Sequence, residues 1–269
     1  MIPLELLILL ALGMVVGAYG TLIGAGGGFL LVPLLITTYD FEPRVAVGTS
    51  LVFVFFNALS GSIAYIKQKR VDVKVGVMFT LLTMPGAILG AFFTGYFEYN
   101  IFKLTFAAIL IIAAIYLVLK PSNEVKFSNF GGYQRKIRDF RGEEYNYSIH
   151  LLRGFIISFF VGFVSSIFGV GGGIMHVPAM VFLLGFPVHI ATATSHFILT
   201  FSSLVGSATH TGLCNVNFEF AIPIGIGAVG GAQLGASISK RVRGTVIEKL
   251  LGLGLIIVAI RLVTHMFSN

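Results

Sequence analysis

Two glycine clusters in this chain have residue types and spacing that could bind an anion. They are Gly24–Gly28 and Gly169–Gly173, and each is followed five residues later by a proline, Pro33 or Pro178. Glycine is costly inside a helix, so we expect the helix to break at each cluster and restart after it. The first N–H groups of a restarted helix are unpaired and carry about half a positive charge. They can hold an anion without a cationic side chain. The alternative for the clusters is close helix packing. The first candidate substrate-binding residues are therefore Gly26, Gly27, Gly28, Gly171, Gly172 and Gly173.

Hydroxyl and amide side chains follow the clusters at equivalent positions. Thr49 and Ser50 recur as Thr194 and Ser195, early in two later apolar segments, and Asn57 lies seven residues past Ser50 on the same helix face. We predict that these groups complete the hydrogen bonds of a bound anion. The alternative is that each hydroxyl bonds back to the preceding turn of its own helix.

Three histidines share one face of a single apolar segment. His189, His196 and His210 are separated by seven and fourteen residues. A step of about 10.5 Å separates residues seven apart on a helix, which is too far for two ligands of one metal ion. We predict no metal site and no cofactor. His196 and His176 lie deepest, and His196 is a candidate for substrate binding or a proton relay. The alternative is an ordinary histidine that lines a cavity.

The chain is a tandem duplication. Residues 145 positions apart align without a gap from Gly17/Gly162 to Ala91/Ala236, with 21 identities over 75 positions. A small-xxx-small pattern also recurs within the aligned region, and for it we predict close helix packing. Its residues are Gly86 and Gly90, and Gly231 and Gly235.

Composition indicates an integral membrane protein. The 269 residues are 56% hydrophobic and 11% charged, with a mean hydropathy of +0.94. Soluble domains carry about 25% charged residues. The net charge of +7 does not indicate nucleic-acid binding, because the basic residues lie almost wholly in loops. The apolar stretch 2–23 lacks a basic region before it, so we interpret it as part of the mature fold. The single Cys214 excludes an intramolecular disulfide.

Each half has five apolar segments. The predicted segments are 3–20, 26–38, 44–66, 74–97 and 101–119, then 151–166, 171–184, 189–211, 218–239 and 245–267. We therefore predict a membrane repeat at 1–119, a cytoplasmic linker at 120–150 and a second membrane repeat at 151–269. The linker is highly charged and shows no periodicity, so we expect a polar loop. A regulatory or partner-binding role is the alternative.

Lysine and arginine predict opposite orientations for the two halves. The loop 67–74 is basic, whereas its equivalent around Asn217 has no basic residue; conversely, Lys240–Arg243 is basic and its equivalent is not. If basic loops are cytoplasmic, the linker lies inside and both termini lie outside. The fold class predicted is an all-α integral membrane protein of two inverted-topology repeats. Each repeat has a broken or re-entrant Gly-rich helix, where transporters of this design bind substrate.

These motifs resemble the TauE/SafE family of membrane permeases, also called the sulfite exporter or TSUP family. The resemblance rests on the doubled glycine motif, on Ala46–Leu51 and on the Gly86–Ala91 and Gly231–Ala236 motifs. It implies secondary transport of sulfur-containing or organic anions, such as sulfite, thiosulfate and sulfoacetate, with proton coupling or facilitated diffusion. The second copy of Ala46–Leu51 departs from the pattern and has His196 in place of leucine.

The sequence thus predicts a permease of the cell membrane that carries a small anion by alternating access. A passive anion channel is the alternative. An intramembrane enzyme is disfavoured, because the chain has no GxSxG, no HExxH and no paired carboxylates within its apolar segments. The partners expected are the anion, protons and the lipid bilayer, with no nucleic acid; a homodimer is compatible with the sequence.

Overall fold

Ten helices and one β-hairpin make up the part of the chain that the structure describes. The computed structural model describes residues 3–119 and 132–267. The elements are α1 (Pro3–Ile23), α2 (Gly28–Thr38), α3 (Pro43–Lys67), α4 (Val73–Thr94), α5 (Tyr99–Leu119), β1 (Tyr133–Arg138), β2 (Glu144–Ile149), α6 (Leu151–Phe168), α7 (Gly173–Phe182), α8 (Val188–Gly212), α9 (Phe218–Ser239) and α10 (Gly244–Phe267). All ten predicted apolar segments are helices, so the all-α membrane fold is confirmed.

Length and apolar composition together identify the helices that can cross a membrane. Six helices of the described chain are long and apolar enough to cross: α1, α3, α4, α6, α8 and α9. Helices α2 and α7 have 11 and 10 residues. At about 1.5 Å per residue, each spans roughly half of a hydrocarbon core about 30 Å thick. They are therefore half-helices, and each begins at a glycine cluster.

Left-handed backbone produces the two breaks. Between α1 and α2, the φ angles of Gly24, Gly26 and Gly27 are 77°, 77° and 85°. Between α6 and α7, the corresponding glycines at 169, 171 and 172 have φ angles of 67°, 77° and 74°. Glycine alone adopts this region readily, because it has no Cβ to clash with the backbone. The cluster sequence therefore both ends one helix and orients the next.

The glycines of the small-xxx-small pattern serve close packing, as predicted. A Cβ on Gly231 would lie 2.2 Å from the carbonyl oxygen of Met14, and one on Gly235 would lie 2.2 Å from that of Ala18. Gly90 approaches the carbonyl oxygen of Phe163 equally closely. These contacts join α9 to α1 and α4 to α6, so each pair links the two halves of the chain.

The same contacts show that the paired helices run in the same direction. Contacts of α9 advance from Gly227 to Gly235 as those of α1 advance from Leu10 to Ala18. Helices α4 and α6 behave likewise. Helices α1 and α6 are equivalent in the two halves, and so are α4 and α9. If the halves are inserted in opposite directions, the helices of each equivalent pair run in opposite directions. Parallel α1–α9 and α4–α6 pairs agree with this arrangement. The inverted insertion itself stays a prediction.

The β-hairpin is a feature that the sequence prediction missed. Strands β1 and β2 pair antiparallel from Tyr133↔Ile149 to Arg138↔Glu144. The side chain of Asp139 accepts the N–H groups of Arg141 and Glu143 and so shapes the turn. The prediction of a polar loop without regular structure is wrong for residues 133–149. The remainder of the predicted linker, 120–131, lies outside the described residues.

Adjacent glycines of α9 provide a test of the packing. Gly231→Ala should lower the thermal unfolding midpoint of the detergent-purified protein, because its Cβ meets backbone and overpacking costs about 1–3 kcal/mol. Gly230→Ala is the matched control, since its Cβ would meet only the flexible end of Met14 at 3.4 Å. That control should unfold at the same temperature or higher. Equal destabilisation by both variants would contradict close packing at Gly231.

Two equivalent loop residues test the inverted insertion. Lys69 and Cys214 are 145 positions apart, both are exposed, and both have positive φ. In whole cells, an impermeant maleimide should label native Cys214 from outside. It should label Lys69→Cys in a Cys214→Ser background only after the membrane is opened. Labelling of both positions from the same side would contradict opposite insertion.

Candidate functional site

The two glycine breaks meet at the centre of the molecule. A Cβ on Gly26 would lie 3.2 Å from Cγ1 of Val54, and a Cβ on Gly171 would lie 2.7 Å from the same atom. Both positions also approach Leu199, at 3.6 and 3.5 Å. Val54 and Leu199 lie near the midpoints of α3 and α8. The breaks are therefore side by side at mid-depth of the two longest helices.

Each restarted helix begins against a carbonyl oxygen of the other break. A Cβ on Gly28 would lie 2.3 Å from the carbonyl oxygen of Gly169, and one on Gly173 would lie 2.2 Å from that of Gly24. The N-terminal ends of α2 and α7 carry partial positive charge, and these carbonyls carry partial negative charge. Residues Gly24–Gly28 and Gly169–Gly173 are all buried, so the breaks form a closed contact.

The two predicted serines bind the breaks directly. Ser50 Oγ donates to the carbonyl oxygen of Gly169 at 2.8 Å, and Ser195 Oγ donates to that of Gly24 at 3.3 Å. Each serine thus holds the carbonyl that covers the helix start in the contact just described. The two hydroxyls therefore lie beside the two helix starts.

The two predicted threonines have a different position. Thr49 Oγ1 accepts the backbone N–H of Asn217 at 3.0 Å, and Thr194 Oγ1 accepts that of Asp72 at 3.0 Å. Asp72 and Asn217 are the N-caps of α4 and α9, and their side chains accept an N–H from the first turn. The threonines therefore fix helix starts across the repeat boundary, and the structure does not bring them to the breaks.

Asn57 and His196 belong to one buried chain of hydrogen bonds. Asn57 Nδ2 donates to the carbonyl oxygen of Gly26 at 3.0 Å, and Asn57 Oδ1 lies 3.1 Å from Thr21 Oγ1. The same Thr21 oxygen lies 3.1 Å from Nε2 of His196. Tyr65 donates its hydroxyl to the carbonyl oxygen of Thr21 at 2.8 Å. The chain ties α1, α3 and α8 to the first break.

Thr21 and Tyr65 were not identified from the sequence. Thr21 lies in the last turn of α1, before the first cluster, and its place 145 residues later is Ser166. Tyr65 corresponds in the same way to His210, which donates Nε2–H to the carbonyl oxygen of Ser166 at 3.1 Å. Residues 145 apart thus make equivalent bonds. Pairing positions across the repeat is the signal that could have found them.

The other histidines do not converge on His196. His176 Nε2 lies 3.2 Å from Ser158 Oγ, and its ring stacks on Phe79 with centroids 6.3 Å apart. Within the described ranges, no three His, Cys, Asp or Glu side chains are placed to hold a metal ion.

Full charges gather at one end of the bundle. Arg135 of the hairpin makes two hydrogen bonds with Asp72, at 2.7 and 2.8 Å, and Tyr147 donates to the same carboxylate at 2.7 Å. Arg70 and Asp139 form a second, buried ion pair at 3.6 Å. The three loops predicted to be cytoplasmic meet here, because Arg141 also donates to the carbonyl oxygen of Lys240.

The hydrogen bonds among Asp72, Arg135 and Tyr147, here called the Asp72 cluster, favour an ionised Asp72 carboxylate and a protonated Tyr147 hydroxyl. Burial raises the pKa of Asp72, but the hydrogen bonds from Arg135, Tyr147 and the N–H of Val75 outweigh it, so the net pKa is lowered. Burial, and then Asp72, raises the pKa of Tyr147. A lowered carboxyl pKa means that the stabilisation is present above the unfolded pKa and is lost only as the pH falls through the folded pKa. The cluster is therefore intact at neutral pH.

Comparison with known proteins identifies the family of this chain. The family described as Sulfite exporter TauE/SafE matches residues 9–262. A probable membrane transporter protein, YunE, of Bacillus subtilis (strain 168) is 37% identical over 97% of this chain and 98% of its own length. A probable membrane transporter protein of Methanocaldococcus jannaschii is 28% identical over 87% of this chain and 86% of its own. No solved structure matches. The family match covers nearly the whole chain, including both glycine breaks, and the chain therefore belongs to the TauE/SafE family of membrane transporters.

Proposed function

We propose that this transporter is a secondary permease of the cell membrane for a small anion, a sulfur oxyanion or an organosulfonate such as sulfite, thiosulfate or sulfoacetate. The observation that carries the proposal is the meeting of two half-helix N-termini at mid-depth, each with a serine hydroxyl beside it. An oxyanion with several oxygens could accept N–H groups from both helix starts and hydrogens from Ser50 and Ser195 at once.

The charge pattern supports an anion rather than a cation. The residues that form the breaks carry no acidic side chain, and the acidic residues of α1 and α9 lie in the first turns of those helices. A bound anion would therefore meet partial positive charge and no fixed negative charge. Its size is restricted as well, because Val54 and Leu199 flank the breaks closely.

The closed contact supports alternating access over an open channel. Both breaks are buried, and their helix starts are covered by carbonyl oxygens of the opposite break. An anion reaches the helix starts only if the breaks move apart, and it replaces those carbonyls when bound. Such a cycle saturates with substrate. A passive anion channel remains the second candidate, and a flux that stays proportional to substrate concentration would favour it.

The proposal also includes the orientation of the chain in the lipid bilayer and its oligomeric state. In this proposal, both termini lie outside the cell and the linker lies inside. Thr49 and Thr194 do not touch the anion; they fix the starts of α9 and α4. A homodimer is compatible with this arrangement, because exposed leucine, isoleucine and phenylalanine side chains cover the outer helix faces.

Removal of one serine hydroxyl should weaken anion binding. Ser50→Ala and Ser195→Ala should each lower affinity by about five- to 150-fold, since an unpaired buried hydrogen-bond partner costs about 1–3 kcal/mol. Binding to purified protein is measured with sulfite, sulfate, thiosulfate, sulfoacetate and simple carboxylates. Ser203→Ala is the matched control on α8, because its hydroxyl bonds only within its own helix, and it should bind normally. Equal effects in all three variants would contradict a site at the breaks.

A neutral analogue tests whether charge drives the binding. Dimethyl sulfone has the shape of a sulfur oxyanion without its charge and should bind poorly, because hydrogen bonds to a charged acceptor are about twice as strong as neutral ones. The measurement is competition against whichever anion in the screen binds most tightly. Competition by the sulfone at the concentration of the anion itself would contradict an electropositive site.

A further inference from the structure

The hydrogen bonds at the first break determine which nitrogen of His196 carries hydrogen. Asn57 Nδ2 donates to Gly26, so Asn57 Oδ1 is an acceptor and takes the hydroxyl hydrogen of Thr21. The hydroxyl of Thr21 has one hydrogen, so its oxygen accepts from His196 Nε2. The opposite assignment would bring two acceptor oxygens face to face. The neutral ring is therefore the Nε2–H tautomer.

This tautomer leaves Nδ1 of His196 as a bare acceptor in the interior. The residue is fully buried, and Nδ1 has no hydrogen-bond partner within the described part of the chain. A buried acceptor without a partner is destabilising, so the position favours any group that brings a proton.

The surroundings of the ring contain one other titratable side chain. Tyr65 of α3 contacts it edge-on at 5.8 Å, and its hydroxyl is committed to Thr21 of α1. The ionisable side chains of the three helices that meet at the ring lie otherwise toward the helix ends. They are Glu5 and Tyr19 on α1, Arg44 and Lys67 on α3, and His189 and His210 on α8. A proton on Nδ1 would thus place a full positive charge at the centre, where only partial charges act.

We propose that Nδ1 of His196 is the position where a proton and the transported anion bind together. This inference rests on the proposed anion transport and names its coupling residue. A proton from the solution adds to Nδ1 and makes it a donor, and the anion binds beside the resulting imidazolium, one residue from Ser195. Release reverses both steps, so one proton crosses with each anion. The equivalent residue of the other half is Leu51, so each chain has one such position.

The test is uptake of radiolabelled thiosulfate into proteoliposomes between about pH 5 and 8, the range in which histidine titrates. Thiosulfate is chosen because it stays a dianion throughout. In the native protein, the half-saturating concentration should fall as the pH falls. His196→Gln keeps an N–H donor for Thr21 but cannot titrate; it should lose the pH dependence and bind about ten- to hundredfold more weakly at the acidic end. His210→Gln, a buried histidine bonded to Ser166, is the control and should keep the native pH profile.

The outcomes separate the two proposals. A His196→Gln variant with the native pH profile would overturn the role of His196 and leave anion transport standing. A native protein that carries none of the screened anions would overturn the proposed function and this inference with it. Nitrogen NMR of histidine-labelled protein gives a readout that does not depend on transport. The neutral ring of His196 should show Nε2–H, and an Nδ1–H tautomer would overturn the inference.

A different observation concerns the β-hairpin, which fastens one end of the bundle. Asp72 binds Arg135 and Tyr147 of the hairpin while its own N–H holds Thr194 of α8. At the equivalent place in the other half, Asn217 caps α9 and holds Thr49, and within the described residues no hairpin binds it. Of these two equivalent N-caps, Asp72 is therefore the one to which the hairpin is attached.

The geometry points to the hairpin as a strap that holds this end closed and must detach before it opens. The strap spans both halves, since Gln68 accepts the N–H of Phe140 and donates its side chain to Ala236 of α9. Arg70 and Lys240 flank the ring of Phe140 at 5.5 and 5.4 Å. Separation of these segments requires the loss of the bonds to Asp72.

The other half has asparagine, Asn217, at the position equivalent to Asp72, and the same substitution tests the strap. Asp72→Asn keeps the cap and the N–H to Thr194 but removes the charge that holds Arg135. It should speed maleimide modification of Thr80→Cys, two turns inside α4, by at least about tenfold, because breaking a charged hydrogen bond costs about 1.5–3 kcal/mol. Glu144→Gln is the control, since its exposed pair with Lys136 contributes little. All variants carry Cys214→Ser.

A second readout keeps this test decisive. Hydrogen exchange of the β1 and β2 amides should accelerate in Asp72→Asn and stay unchanged in Glu144→Gln. Unchanged exchange together with unchanged cysteine modification would overturn the strap. Exchange that accelerates without faster modification would overturn it too, because the hairpin would then detach without opening the bundle.

Discussion

The contact between each half-helix start and a carbonyl oxygen of the opposite break is the interaction on which the rest of the structure depends. It brings two positive helix ends to mid-depth, where they would otherwise repel, and places a carbonyl dipole against each. Gly28 and Gly173 make it possible, because a Cβ at either position would overlap the opposing oxygen. The same exclusion of side chains leaves backbone groups and the hydroxyls of Ser50 and Ser195 together at this contact.

The remaining buried polar groups support this contact. Ser50 and Ser195 hold the two carbonyls, whereas Thr49 and Thr194 hold the starts of α9 and α4. Every one of these bonds joins one half of the chain to the other. Buried hydrogen bonds are expensive to leave unmade, so a movement that separates the halves must offer each group a new partner. In the proposed transport cycle, a bound oxyanion would be such a partner for the serines, and loss of the hairpin contacts would add a further cost at one end.

Helix positions and the breaks could be predicted from the sequence because each has a local cause. Apolar length marks the helices, and repeated glycine marks the backbone that turns left-handed at residues 24 and 169. The hairpin was missed because its alternation of Tyr133, Arg135 and Ile137 is short and embedded in charge. Its stability comes from docking on Asp72, a residue 60 positions away or more, which no local pattern reveals.

The candidate site shows the same division. Glycine clusters and paired hydroxyls pointed to the breaks, but position in the sequence did not separate the serines from the adjacent threonines. That difference arises from the rotation of one residue on a helix, about 100°, which directs Ser50 to a break and Thr49 to Asn217. Thr21 was missed because a lone threonine in an apolar helix resembles many others until its partners Asn57 and His196 are placed around it.

The most direct test of the central claim is an NMR experiment in which thiosulfate is titrated into protein that carries labelled glycine nitrogens. The amide signals of Gly28 and Gly173 should shift together. Both shifts should give one dissociation constant, equal to the thiosulfate concentration that half-saturates transport. The signal of Gly212, which lies at the exposed end of α8 with nothing packed against it, should not shift. Signals of Gly28 and Gly173 that stay unchanged at concentrations that saturate transport would contradict an anion site between the two half-helix starts.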